Sequence, residues 1–151
     1  MTVTLAGEER EVALAEVDAV RRVAQPGDFR DLLDDLAAAV ETGALESTHL
    51  VGELYRLITL ALQSGRVRAL YGPSGEQAAL RAYRKLPSGT ELTESAKAVN
   101  EALASLEGRL LDQISIAAVG PGVFTVSLVA GGAELAVRLD RQGARLASVG
   151  V

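Results

Sequence analysis

A chain of 151 residues that is 48% hydrophobic but only 3% aromatic must build its core from Leu, Val, Ile and Ala, which disfavours recognition by stacked rings. It has no cysteine and one histidine, His49, so disulfides, thiolate nucleophiles, Cys-bound zinc, iron–sulfur clusters and a multi-histidine metal site within the chain are excluded. The formal charge of −5 opposes wholesale binding to nucleic acid or anionic membrane, and no stretch nears the ~20 apolar residues of a membrane helix.

The first residues, "MTVTLAGEEREV", carry neither a basic nor an apolar leader segment, so a soluble, cytoplasmic protein is expected. "TVTLAGEEREVAL" reads as two short strands around Gly7, or as one strand and a turn. "AEVDAVRRVA" follows as a short helix that Pro26-Gly27 stops. In "GDFRDLLDDLAAAVETG", Asp28 is placed as the N-cap. Phe29, Leu32, Leu33, Leu36, Ala37 and Val40 form the apolar stripe, and Gly43 sits at the C-cap. "STHLVGELYRLITLALQSG" repeats the pattern, with Ser47 or Thr48 as cap and Gly65 as stop.

"RVRALY" is expected as a short strand and "SGEQAALRAYRKL" as a helix ended by Pro87-Ser88-Gly89. From Leu92 the apolar positions run Ala96, Val99, Leu103, Leu106 and Leu110, a heptad-like seam over about five turns. This seam is assigned to the contact of one long helix with the sheet that follows.

The C-terminal third yields its own register. A two-residue turn at Gly131-Gly132 pairs Phe124 with Leu139, Val126 with Val137 and Leu128 with Leu135. A loop at Gly120-Pro121-Gly122 independently pairs Ala118 with Phe124, Ile116 with Val126 and Ile114 with Leu128. Both turns give one apolar face, which a one-residue slip would destroy. "DRQG" has the Asp and Gly of a type I turn and returns the chain so that Leu146 joins that face. The opposite face is assigned Val129 and Val149 among small and polar residues, an unusually apolar outer surface.

The expected fold is therefore α+β: a helical segment over 1–113 packed on a four-stranded antiparallel meander over 114–151, forming a single domain. Charge is uneven along it. Residues 1–53 hold 12 acids and 4 bases (−8), whereas 54–90 hold 1 acid and 6 bases (+5).

Candidate sites follow from that distribution. "LYGPSGEQ" resembles a phosphate loop in composition, but it lacks the Gly-Lys pair of a P-loop and the third glycine of a dinucleotide fingerprint. Ser74 and Gln77 instead fit a capping box, leaving the Gly75 amide with Arg66, Arg68 and Arg81 as a candidate small-anion site. Asp31, Asp34 and Asp35, with Asp28, form an acidic face that matches Arg84 and Lys85 in charge. These residues, with Val129 and Val149, make a candidate partner interface. His49 and Glu53 are four apart on one helix, without a second histidine to complete a metal site. No catalytic constellation and no cofactor is assigned. The expected function is a non-enzymatic interaction or assembly protein that binds itself or a protein partner. A nucleic-acid-associated factor using residues 66–85, and an anion-binding or enzymatic domain at Ser74, are the alternatives.

Overall fold

The structure, a computed structural model, describes residues 1–150. It is an α+β fold of five helices, one short strand pair and a C-terminal four-stranded antiparallel sheet. The chain divides into two compact units, Met1–Gly89 and Thr90–Val151.

In the first unit, β1 (Val3–Thr4) pairs with β2 (Ala44–Leu45), so the N-terminal strand finds its mate beyond two helices rather than across Gly7. The "EEREVAL" stretch, expected as strand or turn, is helical and opens α1 (Glu8–Val23). Tertiary packing explains the correction. Glu9, Val12, Ala13, Glu16 and Val17 recur at helical spacing and are all buried, while Glu8, Glu9 and Glu11 suit the positive end of the helix dipole.

Helix α2 (Asp28–Thr42) begins after Gly27, and Asp28 is its first helical residue, not its cap. An Arg30 guanidinium donates to the Ala24 carbonyl at 3.1 Å and ties the turn between α1 and α2. Phe29, placed on the inward stripe by spacing, is exposed in the first turn. Gly43 ends the helix in the left-handed region, φ 79°, where its absent Cβ would lie 2.8 Å from the Leu5 carbonyl oxygen.

Helix α3 (Thr48–Gln63) is capped by Ser47, whose hydroxyl accepts from the Leu50 amide. The following segment differs from expectation. "RVRALY" is helical, the first half of α4 (Arg66–Lys85), which breaks at Gly72 (φ 70°, ψ −172°) and restarts with Pro73. Proline suits a first helical position because it has no amide to leave unpaired. Ser74 thus lies inside the second half and makes no cap. The expected capping box is replaced by a Gly-Pro restart.

Two apolar clusters hold this unit. Leu5, Val17, Leu36, Leu45, Leu54 and Leu86 belong to the larger, and Val12, Ala61, Val67, Ala78 and Ala79 to the smaller, both sealed by α1. The abundance of alanine on α4 lets these helices approach closely.

In the second unit, α5 (Pro87–Ala104), entering it from its fourth residue, supplies the apolar seam to a sheet ordered β3 (Gln113–Gly120), β4 (Val123–Ala130), β5 (Ala133–Asp140) and β6 (Gly143–Gly150). The helix begins at Pro87, in the very triplet expected to act as a breaker, and stops six residues before Leu110, which is 85% exposed. Every strand pair deduced from the two turns is present. Val99 packs with Leu128, Leu135 and Val137, flanked by Leu103 and Leu106. Ser95 donates from its hydroxyl to the Ala144 carbonyl, fastening the helix to β6.

One correction comes from a bulge. Val137 pairs with Leu146 but Ala136 pairs with Ser148, so Ala147 is an extra residue on β6. Val149 is thereby carried opposite Leu135, onto the apolar face that α5 packs against, and not onto the outer face with Val129.

Candidate functional site

The basic segment 66–85 lies along α4, and its charges meet carboxylates of α1. Arg66 Nε donates to Glu16 at 2.9 Å. Arg81 reaches Glu8 at 3.3 Å and Glu9 at 3.8 Å. Lys85 Nζ contacts Glu9 at 2.6 Å and donates to the Thr4 carbonyl at 3.2 Å. Arg68 pairs at 3.6 Å with Glu76 on its own helix. Three acids of the −8 segment, Glu8, Glu9 and Glu16, therefore answer Arg66, Arg81 and Lys85 of the +5 segment between α1 and α4.

Glu9 and Glu16 are the buried charged residues among those described, and neither was singled out from the sequence. The Tyr71 hydroxyl also donates to Glu16, at 2.7 Å. Burial, reinforced by the adjacent Glu16 carboxylate, holds the Tyr71 phenol above its ordinary pKa of 10.0. A helical stripe containing Glu at an inward position, with arginine far away in sequence, was the available signal.

Of the proposed anion site, Arg66, Arg68 and Arg81 each face a carboxylate. Gly75 is buried within α4, where an added Cβ would run into the Tyr71 side chain. Ser74 and Gly75 do border an open depression of about 290 Å³ with Glu8, Glu11, Val12 and Tyr71. Its charged rim is acidic.

Of the proposed interface, Asp34 pairs with Arg21 at 3.5 Å, and Asp31 and Asp35 stand exposed on α2 with no ion pair among the described residues. Lys85 belongs with Glu9. His49 and Glu53 line a depression of about 480 Å³, but Glu53 faces Arg56 at 3.7 Å. Among the described residues no group of three or more metal-ligating side chains is gathered, and no helix is long and apolar enough to cross a membrane.

The second unit presents a different surface. On the face that α5 packs against, cross-strand rows run Ile114–Leu128–Leu135–Val149 and Ile116–Val126–Val137–Leu146. Their middles are covered and their ends are not. Leu128, Leu135 and Val137 are buried, but Ile114 is 62%, Ile116 64% and Val149 66% exposed. Phe124 and Leu139 are also exposed on this face. Comparison with protein-family models, curated proteins and solved structures finds no match.

The two edges of the sheet differ. Strand β3 contains no charged residue and no proline, and every one of its eight residues is exposed. Strand β6 carries Arg145, held by Asp140 at 3.0 Å, and the Ala147 bulge. Charge and bulges are the usual means of blocking an edge. Over residues 113–117, β3 has neither.

Proposed function

We propose that this protein works by protein–protein association, assembling through the uncovered apolar surface of its C-terminal sheet. The observation that supports this reading is Ile114 and Ile116, adjacent inward-facing positions of an uncharged edge strand that are left open where α5 ends its cover. Two exposed isoleucines side by side on a sheet face are a standing cost in water. Burying each recovers roughly 1.5–3 kcal/mol.

The alternative of an anionic ligand at residues 66–85, whether a small anion or nucleic acid, competes with existing ion pairs. Arg66, Arg81 and Lys85 would have to leave Glu16, Glu8 and Glu9, two of which are buried. Leaving buried carboxylates without their cations is unfavourable. The apolar surface requires no such rupture.

Light scattering coupled to size-exclusion chromatography tests the reading. The expected result is a mass above that of the monomer, falling on dilution and insensitive to salt, because apolar burial is not screened. Ile116→Lys should give a monomer of unchanged circular dichroism. A wild-type chain that is monomeric at every concentration overturns the reading.

A further inference from the structure

Resting on that reading, we infer that the partner is a second copy of this chain, joined to it by antiparallel pairing of β3 with β3 about a twofold axis at Ser115. Three observations lead there. The first is the contrast between the edges: β3 is bare of charge and proline over residues 113–120, whereas β6 is guarded by Arg145 and a mid-strand bulge. An unguarded edge presents unpaired amides and carbonyls to another strand.

The second is register. A twofold pairing places residues of constant number-sum opposite each other, and cross-strand partners share a face. A twofold axis normal to the sheet keeps every residue on its own face, so the sum is even and the inward-facing isoleucines meet inward-facing residues. Centring on Ser115 sets Ile114 against Ile116 of the second copy, twice over by symmetry, and Ser115 against itself on the other face. Centring on Ile116 instead makes one Ile–Ile pair and sets each Ile114 against Ala118. The Ser115 centre buries more.

The third is an irregularity at the far end of β3 itself. Its register with β4 shifts between Ala118 and Gly120, which twists the end of the strand away from a regular ladder. Pairing about Ser115 uses residues 113–117 and stays clear of that irregularity, while pairing about Ile116 runs into it. Within each copy Leu135, Leu128 and Ile114 are already aligned, as are Ile116, Val126 and Val137. The dimer joins these, with Val149 and Leu146 at their ends, into two symmetry-related eight-residue apolar rows across an eight-stranded sheet. The two contacts are identical, so the assembly closes at two.

Because the chain has no cysteine, Ser115→Cys supplies a unique thiol. Mild oxidation should yield a covalent dimer on a non-reducing gel, and Ser148→Cys on the opposite edge should not. Adding Ile116→Lys to Ser115→Cys should abolish the cross-link. Hydrogen exchange of the unmodified chain provides a second reading, with β3 amides exchanging about tenfold more slowly or better in the associated state. Association without β3 protection, and without a cross-link in the Ser115→Cys variant, overturns this pairing while leaving the association itself standing. A strict monomer overturns both.

Discussion

The Tyr71 hydroxyl donates to the Glu16 carboxylate at 2.7 Å, joining α4 to α1 one residue before α4 breaks at Gly72. Arg66 reaches the other carboxylate oxygen at 2.9 Å, so both Glu16 oxygens are engaged by the first half of α4. This carboxylate fixes where the helix lies before its kink, while Glu9, Arg81 and Lys85 fix the second half. Removing Glu16 leaves Tyr71 and Arg66 without their acceptor. Arg66 is half-exposed and rehydrates, so Glu16→Ala should cost about 1–3 kcal/mol in urea unfolding, and Tyr71→Phe about 1 kcal/mol.

Alkaline pH should weaken the fold through its tyrosines. Burial first, and then the hydrogen bond with the neighbouring Tyr55 hydroxyl, pushes Tyr83 up to about 12 from an ordinary 10.0. The unfolded chain then releases a proton near pH 10 that the folded chain keeps until about 12, so stability is intact below 10 and falls as pH rises across that window. Tyrosinate absorbance on titration should show a delayed phase. Tyr83→Phe should remove it.

Gly43→Ala should be among the most damaging single-methyl additions. Its left-handed backbone costs an L-residue about 1–2 kcal/mol, and the new Cβ would meet the Leu5 carbonyl oxygen at 2.8 Å, beside the β1–β2 pairing. Thermal unfolding should shift downward by several degrees, roughly 2–8 °C for this size. Gly132→Ala, also left-handed but with open space around it, should be milder.

At the last hairpin, the Gln142 amide donates to Asp140 at 2.8 Å, and Arg145 and Arg138 lie at 3.0 and 3.3 Å. The backbone donor first, and the arginines after it, hold the Asp140 carboxyl below its ordinary 3.8. Its contribution to the turn is therefore present above the ordinary carboxylate range and is lost as pH falls through the lowered value. Carboxyl NMR shifts against pH should place the Asp140 midpoint below its ordinary 3.8. Asp140→Asn should erase that low-pH phase.

The hairpin registers were legible because local turn chemistry and period-two alternation agree: Gly131-Gly132 and the Pro121 turn each led to the same facing residues that the sheet contains. Helices α2 and α3 were legible for a related reason, since Ser47 and Gly43 mark ends that the apolar stripe demands. By contrast "EEREVAL" and "RVRALY" are short, with patterns that suit either a strand or a helix. Only the burial of Val12 and Val67 between helices decides for the helix.

The sequence by itself thus determined the fold class, the pairing within the meander and the absence of thiol chemistry, all properties of residue type and near-neighbour spacing. Tertiary structure decided what spacing cannot encode: that the basic run along α4 is answered by Glu8, Glu9 and Glu16 rather than by Asp31, Asp34 and Asp35. It also decided that one extra residue on β6 turns Val149 inward, and that α5 ends short of Ile114 and Ile116. Charge pairing and cover depend on which surfaces meet in space, and contacts fifty or more positions apart leave no periodic trace along the chain.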